Sequence, residues 1–127
     1  MKTVLRIGCV LAGILFVALG LRWFVDPTAS AVALGFVLSD GIGRTSQIAD
    51  FAAFFLVIGV CILLGLVTRR RLWFYPPALA LAVAAIGRLL AWSLHAGAFT
   101  GAFIAVEFVV AALVLAAARW LPERNEP

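Results

Sequence analysis

Four apolar runs set the hydrophobic pattern of this chain, at residues 4–25, 46–67, 72–95 and 99–120. A helix of roughly 20 residues at 1.5 Å rise crosses about 30 Å of hydrocarbon, and each run reaches that length. The pattern predicts an all-α fold: an integral membrane four-helix bundle in a single domain, 1–127, with no soluble module.

The connections differ in kind. The one between the first and second runs is the longest and carries its own structural signals. Asp26-Pro27 supplies an N-cap followed by proline at the first helical position. The apolar stretch 28–34 follows, and Gly35 is placed to end it. A short interfacial helix is expected there. Ser39-Asp40-Gly41-Ile42-Gly43 reads as a turn, with Thr45 or Ser46 capping the second span. The connection at 68–71 is clipped and basic, and Pro76 and Pro77 fall in the first turn of the third span, where a missing amide hydrogen is tolerated. Small residues, among them Gly8, Gly13, Gly20, Gly59 and Gly65, suit close helix approach in lipid.

Composition confirms the class and charge adds an orientation. Hydrophobic residues make up 65% of the chain and charged ones only 13%, far from a soluble average. Lys2, Arg6, Arg69, Arg70, Arg71, Arg119 and Arg124 share one side of a four-span topology, and Arg22 and Arg44 lie on the other. The positive-inside rule therefore puts both termini in the cytoplasm, which for a bacterial chain means the inner membrane. The net charge of +4 is then a product of topology and gives no support for nucleic-acid binding. Trp73-Phe74-Tyr75 and Trp120 fit an inner aromatic belt, and Trp23-Phe24 an outer one. Lys2, Arg6 and Ala29-Ser30-Ala31 resemble a secretory signal. The apolar run exceeds the usual core of about 7–15 residues, however, and Arg22 interrupts the approach, so a retained helix is expected.

Candidate chemistry lies where charge interrupts the apolar runs. Arg88 and Glu107 sit nearly equidistant from the turn at 96–101, roughly 14 Å of helix away, so an antiparallel hairpin brings them to one depth. An ionisable group inside a span is costly enough to be a functional-site hypothesis, named with its partner. Arg88, Trp92 and His95 follow i, i+4, i+7 spacing, and Thr100, Phe103 and Glu107 share a face of the fourth span. A polar pocket opening to the outer leaflet is inferred, lined by Asp50, Phe54, Trp92, His95, Phe103 and Arg44 around the Arg88–Glu107 pair. Three readings of the pair stay open: a bidentate pin that fixes helix register, a ligand or substrate site, or a proton or ion path, the last with little support because two acids and one arginine do not make a relay. Asp50 also fits a first-turn acid favoured by the helix dipole, and His95 an interfacial residue at a helix end.

Cys9 and Cys61 fall at similar depth near the inner side, and read as apolar packing residues or as a redox pair if their sulfurs meet. Metal-ligand spacing is absent from the sequence, as are a phosphate loop, a nucleophile elbow and a dinucleotide fingerprint, so neither metal nor cofactor is expected.

Several of these short motifs together resemble a known type. Leu5-Arg6, Asp26-Pro27 with Leu34-Gly35, Arg44 with Ala49-Asp50-Phe51, Gly87-Arg88-Leu89-Leu90, Gly97 and Glu107 are similar to those of a bacterial family of small four-helix membrane proteins of unknown function, related to the DoxX/DoxD-like group. The resemblance implies architecture and no established activity. Some DoxX-like relatives are associated with thiol or sulfur redox chemistry, but this chain has no cysteine motif to carry it.

The function expected from these residues is that of a non-catalytic membrane protein binding a lipid or small amphipathic ligand, or docking a membrane protein partner or a second copy. Two alternatives remain open. One is a membrane-embedded enzyme using Glu107 or Asp50 as acid/base with His95 assisting. The other is an accessory subunit of a larger complex.

Overall fold

The computed structural model describes residues 1–124. Five helices form an all-α bundle: α1 (Lys2–Val25), α2 (Pro27–Ala33), α3 (Gly41–Thr68), α4 (Tyr75–Leu94) and α5 (Gly101–Trp120), with a 3-10 turn at Arg71–Phe74 leading into α4. Four of them, counting that turn with α4, are long and apolar enough to cross a membrane, and the chain is a multi-pass membrane protein. Both ends of the described chain lie at one end of the bundle, called here the terminal end. The α1–α3 connection and the α4–α5 turn lie at the far end.

The local signals act largely as expected. Asp26 ends α1 and caps α2, its Oδ1 accepting from the Ala29 amide at 3.2 Å, with Pro27 in the first turn. Gly35 follows α2 at φ +87°, in the left-handed region that glycine occupies without penalty. The second span differs from expectation. It begins at Gly41 rather than after Thr45, with Asp40 in the N-cap position and no turn across Gly43. The reason is local: Gln47 Oε1 accepts from the Ser39 amide at 2.7 Å, and Arg44 bonds Ser39 O at 3.0 Å and Asp40 Oδ1 at 3.2 Å. These side chains hold the preceding segment against the first turn and let the helix start early. At the other end of the hairpin, α4 stops at Leu94, and Ala96 takes φ 54° while the Gly97 amide donates to Ala91 O at 3.0 Å. The last span consequently starts at Gly101 instead of residue 99.

The helices form a ring in which α1 packs chiefly on α3 and α4 on α5, with lighter contact between the two pairs. The α1–α3 seam is close. A Cβ on Gly59 would lie 2.6 Å from the Val17 amide nitrogen and 2.8 Å from Gly13 O, and one on Gly20 would lie 2.9 Å from the Leu56 nitrogen. Between the pairs, Cys9, Phe16, Ile58, Ile62, Phe74, Leu81, Ala111 and Val114 fill a core toward the terminal end. Both cysteines are buried free thiols within the bundle. There too the Arg71 side chain reaches Glu123 at 2.8 Å, and the Arg124 amide donates to Arg69 O at 2.9 Å, which ties the end of the chain to the α3–α4 connection.

A smaller aromatic cluster closes the far end of α1 and α3. Trp23 stacks on Phe51 with centroids 4.9 Å apart, and Phe36 packs on Phe51 at 5.3 Å. Trp23 is only 1% exposed, so the outer belt expected from Trp23-Phe24 reduces to Phe24, because the connector folds back over the indole. Phe74 likewise leaves the inner belt and is buried against Gly65, while Trp73, Tyr75 and Trp120 remain exposed.

The two kinds of glycine make a paired test. Gly59→Ala forces backbones apart and is expected to cost about 1–3 kcal/mol, as overpacking does. Gly87→Ala meets nothing within 4 Å and should gain about 0.5–1 kcal/mol from helix propensity. Unfolding in mixed micelles measures both, and equal effects would contradict the close approach of α1 and α3.

Candidate functional site

Arg88 lies six positions before Leu94, the last residue of α4, and Glu107 six positions after Gly101, the first of α5. That symmetry brings them together as the spacing predicted: Arg88 Nε donates to Glu107 Oε1 at 2.8 Å. The bond is single rather than bidentate. Glu107 Oε2 is shielded from solvent and has no hydrogen-bond partner. The guanidinium carbon stands 4.8 Å from the centroid of the Phe103 ring, a cation–π distance. Side-chain exposure is 32% for Arg88 and 10% for Glu107, so the carboxylate is the more deeply held member.

The pair forms one wall of a cavity of about 530 Å³. All four long helices contribute stripes at helical spacing: Leu15, Leu19 and Arg22 from α1, Asp50 and Phe54 from α3, Leu81, Ala84 and Arg88 from α4, and Phe103, Val106 and Glu107 from α5. Ser30 and Ala33 of α2 and its C-cap Leu34 add to it, as do Phe16, Trp23, Phe51 and Phe55. Phe16 and Leu81 belong also to the core below, so the core forms the cavity floor. Leu15 and Val106 are 53% and 54% exposed, so the cavity reaches the bundle surface along the α1–α5 seam. Its wall is hydrocarbon except for Arg22, Arg88, Asp50, Glu107, Ser30 and the indole of Trp23. The Ser30 hydroxyl is engaged, donating to Asp26 O at 2.9 Å.

Of the residues singled out from sequence, Arg88, Glu107, Asp50, Phe54 and Phe103 share this cavity. Three do not. Trp92 turns outward and packs on Phe99 with centroids 5.1 Å apart, half exposed. His95 is the C-cap of α4 in a non-helical conformation, so the i, i+7 phase with Arg88 is lost there. Arg44 is held by Asp40 and Ser39. It stands six residues from Asp50, about 1.7 helical turns, and the two occupy different faces of α3. Thr100 is the non-helical N-cap of α5 and keeps a buried hydroxyl without a partner.

The α1 wall was not anticipated. Arg22 had a legible signal, a charge near the end of an apolar run with Leu15 and Leu19 on its face, but it entered only the topology and the case for a retained first helix. The α2 contribution had none, since a seven-residue helix can dock in many ways. A second cleft, at the terminal end between Arg6, Arg69, Arg71 and Glu123, has about 20 Å³, room for a single water. Among the described residues, no three His, Cys, Asp or Glu side chains converge on one point.

No known family model, curated protein or solved structure matches this chain.

The ion pair yields a double-mutant prediction. Arg88→Met alone strands a buried carboxylate and is expected to cost about 3 kcal/mol, the low end for a broken buried pair because Arg88 is one-third exposed. Arg88→Met/Glu107→Leu should recover most of that loss, since replacing both charges by apolar groups is often near neutral. Additive losses in equilibrium unfolding would show that the two side chains do not depend on each other.

Proposed function

We propose that this protein is a non-catalytic membrane protein that binds a lipid or small amphipathic molecule in the cavity between its helix pairs. The observation that carries the reading is the cavity itself: about 530 Å³, mostly apolar, with polar groups gathered on a few positions. Ligand sites of roughly 300–1,000 Å³ have this composition. Leu15 and Val106 at the surface opening offer a path for an acyl chain from the bilayer. The exposed position of His95 at a helix end leaves the cavity carboxylates without an imidazole, which favours binding over acid–base catalysis. The basic residues at the terminal end support a cytoplasmic location for both termini in a bacterial inner membrane, with the ligand held in the outer half. Kinship with the DoxX-like group belongs to the same proposal and rests on the short motifs alone.

Filling the cavity separates ligand binding from fold. Ala84 lines the open space, so Ala84→Phe should be accommodated and raise the thermal midpoint of the unliganded protein by a few degrees, as added buried apolar area does. The same variant should lose the further stabilisation that an added amphiphile gives the wild type. A melt in which both proteins respond equally to amphiphile would refute the cavity as the binding site.

A further inference from the structure

The cavity's polar groups specify the kind of head they are built to meet. Glu107 is 8% exposed, and its Oε2 is a buried acceptor with no donor. A buried charged acceptor left unpaired is expensive, and a hydroxyl donor removes that cost. Beside it, Arg88 spends only Nε on Glu107, so its two terminal nitrogens hold no hydrogen bond to the described residues. They call for an acceptor. Donor and acceptor are thus wanted side by side, at one point of an apolar chamber. Charge narrows the choice further. The formal charges of Arg22, Arg88, Asp50 and Glu107 in the same wall sum to zero, so the lining as a whole does not favour a head of net charge over a neutral one.

Resting on the binding function proposed above, we propose that the ligand is an uncharged amphiphile whose head carries at least one hydroxyl, as a monoacylglycerol does. The hydroxyl donates to Glu107 Oε2, ester or hydroxyl oxygens accept from Arg88, and the chain lies along Leu19, Phe54 and Val106.

The test titrates the full chain in an amine-oxide detergent, which offers no competing hydroxyl, and reads bound mass by native mass spectrometry. Three probes share one acyl chain: the monoacylglycerol, the methyl ester and the free acid. The monoacylglycerol is expected to bind wild type about ten-fold or more tighter than the methyl ester, the effect of one hydrogen bond to a charged group. The free acid should not exceed it. In Glu107→Gln, the amide oxygen stays with Arg88 and the amide nitrogen takes the place of Oε2, so the free position becomes a donor. The preference for monoacylglycerol over methyl ester should then fall to about two-fold or less. The wild-type order of the three probes stands without any variant. A methyl ester that binds equally or better overturns the proposal, because the methyl ester has no hydroxyl to donate to Oε2. A free acid that binds tightest overturns the charge argument, and an unchanged preference in Glu107→Gln removes Glu107 from the site. Ala84→Phe distinguishes the levels. If it abolishes binding while the head order is wrong, the cavity function survives and only the head assignment falls. If no probe notices Ala84→Phe, both fall.

Discussion

A charge held among apolar helices must be satisfied from within the protein, and at Arg88–Glu107 the bundle supplies only half of what is needed. One bond of 2.8 Å joins α4 to α5, and the second carboxylate oxygen is left without a donor. Water is scarce at this depth, so the deficit falls on whatever fills the adjoining space. The pair therefore does two things. It links α4 to α5 six residues from each helix end at the turn, and it leaves a polar demand facing a chamber.

The chamber exists because the helix pairs are built differently. On α1 and α3, glycines bring backbones into contact and leave no room for a methyl group at Gly59. Between the pairs, closure is achieved only toward the terminal end, by Phe16, Ile62, Leu81 and Val114. Beyond that plug the facing positions are Leu19, Phe54, Ala84 and Val106, which do not reach across the bundle centre. The connector completes the arrangement by laying Phe36 over Trp23, which stacks on Phe51 of α3, so the far end of α1 and α3 is closed while the interior stays open.

Much of this is legible in the sequence, for definite reasons. Four apolar runs give four spans because hydrocarbon thickness sets helix length. Asp26-Pro27 marks the start of α2 because cap and proline act locally. The Arg88–Glu107 contact follows from equal distances to a turn, a matter of counting. The remaining features depend on tertiary placement. Trp23 looks like a belt residue until the connector is folded onto it. Trp92 and His95 share a nominal face with Arg88, but Phe99 draws one outward and the end of α4 releases the other. The early start of α3 depends on Gln47 and Arg44 reaching back over Ser39 and Asp40, a choice between turn and helix that side-chain geometry decides. The cavity is the least legible feature, because an unfilled space is a property of four stripes taken together.

The central claim is that the space beside Arg88 and Glu107 is occupied in the membrane by one amphiphile. Native mass spectrometry of the protein ejected directly from its own membrane patches, without detergent exchange, tests this most directly. One retained amphiphile per chain, of a single head-group class, is expected, together with its absence from the same preparation of a cavity-filled variant. A wild-type protein that emerges bare, or that carries the mixed lipids of the bulk membrane in the same proportions as the variant, would contradict it.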